Sequence, residues 1–152
     1  MMFKFKIEKA QIEDIKEISD LVKRIYLKYN SKIDTEEGIN NILTFISAES
    51  MRLRFYIEGA LMLVARNENN DIVGMIELKN FEHISLFFVD DKYFKCNIGK
   101  KLFEEAKNIF KSEKFSVNSS DYGLEFYKKL GFIQITDSIK VEKGVHFYPM
   151  IY

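Results

Sequence analysis

Cysteine is almost missing from this chain: its 152 residues contain one, Cys96. A single thiol forms no internal disulfide, so a stapled secreted scaffold is excluded and a reducing, cytoplasmic setting is expected. Histidine is nearly as scarce, with only His83 and His146. Two scattered imidazoles and one thiol do not make a ligand set, and no metal is expected. Charge of one sign is lacking as well, because 23 basic residues balance 23 acidic ones. A chain with pI near 6.8 has no overall field to draw nucleic acid or an anionic membrane surface, and neither partner is expected. No apolar run approaches the ~18 residues that span a bilayer. The opening MMFKFKIEKA alternates charge with Phe and Ile, which reads as a strand and not as a signal peptide. The one proline, Pro149, falls in the last predicted strand and points to an edge or a bulge there.

What is present is apolar and aromatic. Hydrophobic residues make up 47%, with 14 Phe and 8 Tyr, enough for a packed core in one domain over residues 1–152. Phe3, Phe5 and Ile7 alternate with Lys4, Lys6 and Glu8, the period of a half-buried strand. Ile12, Ile15, Ile18, Val22, Ile25, Tyr26 and Tyr29 trace one helical stripe, broken at Asn30 and Ser31. Asp34, Thr35, Glu36 and Glu37 resemble a capping box, which opens a second helix carrying Ile39, Ile42, Leu43, Phe45 and Ile46. Residues 60–65 and 72–78 read as a hairpin around the turn NENND. Further strands are expected near 83–89, 115–117, 132–136 and 145–151. The predicted order is β-α-α-β-β-β-α-β-α-β-β. It implies a mixed, mostly antiparallel α/β (α+β) fold.

The most informative stretch is His83 to Phe110, HISLFFVDDKYFKCNIGKKLFEEAKNIF. An apolar strand, Ile84 to Val89, stops at Asp90 and Asp91. Ile98, Leu102, Phe103, Ala106, Ile109 and Phe110 then recur at helical spacing. A loop entering a helix brings unpaired N–H groups and the positive end of the helix dipole together, a natural phosphate site. The stretch resembles the acetyl-CoA motif of the GNAT superfamily of N-acetyltransferases, whose loop reads Q/R-x-x-G-x-G/A. The aligned residues are Phe94, Lys95, Cys96, Asn97, Ile98 and Gly99. Only Gly99 matches strictly. Asn97 replaces the first glycine and is the side chain that best tolerates a left-handed backbone, so the loop shape is expected to survive.

A second segment carries the same resemblance. Ser116 to Phe132, SVNSSDYGLEFYKKLGF, resembles the family's C-terminal motif of strand, Asn-containing turn, helix ending in Tyr, and Leu-Gly-Phe. The resemblance implies a GNAT-like sheet with a splayed central strand pair and flanking helices. It also implies acetyl-CoA as cosubstrate and an amine of a small molecule or peptide as acceptor. Cofactor contacts then fall on the loop residues 94–99, on Lys100, Asn118 and Tyr122, and on main-chain donors near Phe88 and Val89. Gly131 should cap the last helix in the left-handed conformation.

Amide formation from a thioester needs a neutral amine, a polarised carbonyl and a protonated leaving thiolate. An amine with pKa near 10.4 is neutral in roughly one molecule per thousand at pH 7, so a base is expected. Glu77, on a strand paired with the central one, is the first candidate; His83 is the second, and Glu82 flanks the same turn. A phenol with pKa near 10 can protonate a thiolate whose conjugate pKa is near 8.5, and the resemblance gives that role to Tyr127. Cys96 has no neighbouring His to form a nucleophilic pair, so it is read as a loop residue offering its amide. Lys100 and Lys101 are candidate phosphate contacts or a solvated helix face.

Around the acceptor, the resemblance gathers Tyr26, Tyr29, Asp34, Glu36, Glu37, Asp137, Ser138 and Glu142. Helix starts are acidic in any case, so these residues do not name the amine. Two other functions stay open: a non-catalytic acyl-CoA-binding sensor and an interaction domain with a degenerate loop. A homodimer through an edge strand is compatible with the fold.

Overall fold

The computed structural model describes residues 4–152, so Phe3 of the first predicted strand lies outside the described residues. The chain begins with β1 (Lys6–Lys9) and α1 (Ile15–Ile25), entered through a short 3₁₀ turn at Ile12–Asp14 and left through a π-helical turn at Tyr26–Asn30. Two helices follow, α2 (Glu36–Phe45) and α3 (Ala48–Tyr56). Then come β2 (Leu61–Arg66), β3 (Ile72–Lys79) and β4 (His83–Val89). The second half holds α4 (Ile98–Phe110), β5 (Ser116–Ser119), α5 (Leu124–Leu130), β6 (Ile133–Gln134), β7 (Lys140–Glu142) and β8 (Val145–Ile151). The fold is mixed α/β around one sheet ordered β1-β2-β3-β4-β5-β8-β6, with β7 against β8. Every pairing is antiparallel except β4 with β5.

Both faces of the sheet are covered, which is why β3 reads as a nearly continuous buried run. On one face Ile98, Leu102, Phe103 and Ala106 of α4 pack with Ile76, Leu78 and Ile84. On the other, Ile15, Ile18, Val22 and Ile25 of α1 pack with Met62, Val64, Met75 and Leu86. The α1 stripe read from the sequence is this second face.

Two local features open the middle of the sheet. β4 and β5 pair only at His83↔Ser116 and Ile84↔Val117. Immediately after, the β3–β4 register jumps, with Glu77 opposite Leu86 and Leu78 opposite Ile84, so Ser85 is an extra residue on β4. A bulge bends its strand and increases the local twist. β4 therefore runs on to Val89 without β5 beside it. That is the expected splay.

Three details differ from the sequence reading. The helix α3 was not expected; its buried side chains are Met51 and Arg54, so no apolar stripe marks it. β7 buries none of its residues and has no hydrophobic signature either. Pro149 lies in an interior strand, between β5 and β6, and not at an edge. Its carbonyl accepts from the Ile135 N–H at 2.9 Å, just past the end of β6, so the missing proline N–H falls where that ladder has already stopped.

The β7–β8 hairpin closes against α2. Thr35 donates its N–H to the Gly144 carbonyl at 3.0 Å, and Asn41 reaches the Lys143 carbonyl at 3.0 Å. A Cβ on Gly38 would lie 2.1 Å from the Gly144 carbonyl oxygen, a main-chain atom that cannot rotate away. Gly38→Ala is expected to lower stability by about 1–3 kcal/mol, read as an earlier thermal unfolding midpoint.

Candidate active site

The site is a cavity of about 1400 Å³ between the diverging strands, walled by β4, the loop before α4, the start of α5 and β8. Its polar character comes first from backbone. Asp90 donates its N–H to the Val73 carbonyl at 2.8 Å. By strand alternation Phe88 and Leu86 also turn their N–H groups to β3, and Phe87 and Val89 turn theirs to the open side. The Val89 amide thus faces the cavity. The Phe88 amide, also named from the sequence, instead faces Met75 of β3, and it is the Phe87 amide that faces the cavity.

The far end of β4 is clamped. Arg24 bonds Asp90 and Asp91 at 3.0 and 3.2 Å, and Lys28 and the Tyr29 hydroxyl also bind Asp91. Lys28, then Tyr29 and Arg24, hold the Asp91 carboxyl well below the usual carboxylate range against the opposing effect of its burial. From this anchor the loop runs through Lys95 and Asn97, both left-handed, with φ of 65° each. Asn97 makes no side-chain cap on α4. Among the described residues the amides of Lys95, Asn97, Ile98, Gly99 and Lys100 donate to no protein carbonyl, a concave row of donors at a helix start. Cys96 departs from the expectation, since its amide is directed at the Tyr93 carbonyl at 3.3 Å. The Phe94 amide points likewise to Asp91 at 3.4 Å. The Lys95 and Lys100 side chains are exposed at the rim and form no ion pair among the described residues.

The two sequence segments meet over β4. Phe126 of α5 packs edge-on against Phe87, 5.2 Å between centroids. A Cβ on Gly99 would lie 2.7 Å from the Phe126 ring, so the strict glycine of the loop makes room for α5. Tyr127 is 7% exposed, held among Phe87, Phe126 and Phe132. No protein group hydrogen-bonds its hydroxyl among the described residues, and the residue lines the cavity. Burial pushes its pKa well up. Gly131 closes α5 with φ of 109°. Asn118 is exposed on β5 in the same cavity. Tyr122 stacks on Tyr29 at 4.9 Å, which in turn tilts against Phe94 at 5.4 Å.

A family profile described as acetyltransferase (GNAT) domain matches residues 32–152. The chain belongs to the GNAT acetyltransferase family. No curated protein matches it by sequence. Among solved structures, a GCN5-related N-acetyltransferase from Rhodopseudomonas palustris superposes with a TM-score of 0.78 at 18% identity, covering 99% of this chain and 97% of that one. PaiA N-acetyltransferase from Thermoplasma acidophilum, in complex with coenzyme A, gives 0.73 at 23% identity, with 97% and 98% covered. A GNAT superfamily phosphinothricin acetyltransferase from Sinorhizobium meliloti, in complex with AcCoA, gives 0.70 at 18%, with 97% and 87% covered.

Within this GNAT fold the first candidate base is misplaced. Glu77 is fully buried on β3 and paired in bidentate fashion with Arg54, at 2.6 Å to Nε and 3.1 Å to Nη2. Both carboxylate oxygens are occupied and it does not line the large cavity. It is a structural ion pair. His83 does line the cavity, with Nδ1 2.8 Å from the Ser116 hydroxyl. Burial, and then the Lys79 ammonium, push its pKa down. It sits at the closed end of the splay, where β4 and β5 are still paired. Among the described residues no group of three His, Cys, Asp or Glu side chains is arranged to hold a metal, and no helix is long and apolar enough to cross a membrane.

Proposed function

We propose that this protein is a cytoplasmic acetyl-CoA-dependent N-acetyltransferase that acylates a primary amine of a small molecule or peptide by direct attack on the thioester. One observation carries the reading: the open edge of β4, the unpaired amides before α4 and the unpartnered Tyr127 hydroxyl all belong to a single cavity. The residues fit the ligand. A pyrophosphate needs convergent N–H donors, and the left-handed backbone at Asn97 presents them although the family's first glycine is absent. The coenzyme A complexes of the two relatives point the same way.

When bound, acetyl-CoA supplies an activated acyl group. The amides of Lys95 to Lys100, excepting Cys96, would hold the phosphates. Phe87 and Val89 would offer main-chain N–H groups to the carbonyl oxygen, where negative charge develops. Asn118 would hydrogen-bond the pantetheine arm, and Tyr122, stacked on Tyr29, would form an aromatic wall at the rim. Tyr127 gives its proton to the departing sulfur.

Calorimetric titration with acetyl-CoA and CoA, repeated on Asn97→Asp, tests the cradle. Aspartate tolerates the same backbone but adds a carboxylate beside the phosphates. Micromolar binding by the wild type and a loss of ~10-fold or more in the variant are expected. Release of free thiol with a panel of amines then tests turnover. Absence of binding to either ligand would overturn the proposal.

A further inference from the structure

The cavity has a second polar centre, away from the groups assigned above. His146 of β8 lines it with a side chain 22% exposed. Its Nδ1 is buried and has no hydrogen-bond partner among the described residues. Facing that nitrogen at 3.5 Å is Oδ1 of Asp34, whose side chain is only 3% exposed. The carboxylate is fixed from both sides. Oδ1 accepts the His146 backbone N–H at 2.8 Å, and Oδ2 accepts the Tyr26 hydroxyl at 2.7 Å. Tyr26 is itself buried at the π-helical turn that ends α1.

A buried ring nitrogen without a partner is uncommon and calls for a reason. If Nδ1 carried no proton, its lone pair would face the lone pairs of the carboxylate. The favoured tautomer therefore has the proton on Nδ1, directed at Asp34. The separation of 3.5 Å is too long for a settled hydrogen bond, and such contacts commonly tighten when substrate binds. Because Nδ1 is buried, the exposed part of the ring is its other edge, which carries Nε2 with a free lone pair.

We propose that His146 is the base that removes the acceptor amine's proton, at Nε2, and that Asp34 is its positioning residue. The inference rests on the acetyltransferase reading and deepens it. As the amine nitrogen forms its bond to the carbonyl carbon, an N–H bond breaks and the proton passes to Nε2. The C–S bond breaks and the sulfur takes the proton of Tyr127. His146 then returns its proton to solvent, and Tyr127 regains one. Asp34 opposes the positive charge that the ring carries in between. Among the described residues neither earlier candidate has a carboxylate behind a cavity-facing ring: Glu77 is bound to Arg54, and His83 has only the neutral Ser116 hydroxyl at its Nδ1 and sits where β4 and β5 are still paired.

Two measurements test it. A long-range ¹H–¹⁵N spectrum of the ligand-free protein reads the tautomer directly. Nδ1–H on His146, altered in Asp34→Asn, is expected; Nε2–H would overturn the proposal whether or not an amine substrate is known. In the thiol-release assay His146→Ala is expected to lower kcat ~100-fold or more, with acetyl-CoA affinity by calorimetry unchanged and partial rescue by added imidazole. Asp34→Asn should lower kcat ~10-fold or more. An unchanged kcat in His146→Ala would overturn the proposal. A wild type that releases no thiol with any amine would count against the acetyltransferase reading instead, leaving the tautomer to decide the dyad's geometry.

Discussion

Glu77→Leu is expected to destabilise the protein by about 3–5 kcal/mol, because it strands the Arg54 guanidinium in the interior. Arg54 is 8% exposed and Glu77 0%. Besides its two bonds to Glu77, Arg54 donates to the Phe45 carbonyl at 2.8 Å and lies 3.8 Å over the Phe45 ring. The pair thus joins α3, the end of α2 and the centre of β3. For a domain of this size the loss corresponds to a fall in unfolding midpoint of roughly 10 °C or more. The double variant Arg54→Met with Glu77→Leu removes both charges and should regain most of the difference. It should stay about 1 kcal/mol below the wild type, since the Phe45 carbonyl loses its donor. Denaturant titration of the four proteins measures the cycle. If Glu77→Leu folded with native stability yet abolished turnover, the carboxylate would return as a catalytic base.

That misassignment shows where sequence reading reaches its limit. A glutamate on a strand next to the central one gives no local sign of its partner. Arg54 lies on α3, a helix without an apolar stripe, so the helix and the ion pair were hidden together. The same holds for His146, whose contact with Asp34 spans 112 positions. Neither residue stands in a pattern that periodicity can detect.

Local conformational chemistry was legible. Asn97 adopts φ of 65°, as its tolerance of that region suggested, and Gly131 caps α5 as its place after a helical run implied. The apolar stripes of α1 and α4 marked the two buried faces because burial repeats with the helix period. Which main-chain amides face the cavity was not legible. It depends on the parity of the β4 register after the bulge at Ser85, and one extra residue exchanges Phe88 for Phe87.

Tyr127→Phe is expected to lower kcat by about 10²–10⁴-fold, the range for loss of a positioned general acid, while leaving the affinity for acetyl-CoA nearly unchanged. The side chain is placed by ring contacts with Phe87, Phe126 and Phe132, and phenylalanine keeps all of them. Its hydroxyl makes no bond to the protein among the described residues, so removing it leaves none of their polar groups newly unpaired. The unfolding midpoint should therefore be equal to or above that of the wild type, which separates a chemical role from a packing one. The pH dependence gives a second separation. Burial raises the phenol's pKa above its ordinary value near 10, so the proton is present throughout the neutral range. The variant should then be slow at every pH between about 6 and 9, with no limb of the profile abolished. Steady-state kinetics across that range, with calorimetry on the same samples, measure both effects. A variant with wild-type kcat would mean that solvent protonates the thiolate and that Tyr127 only fills the core beside it.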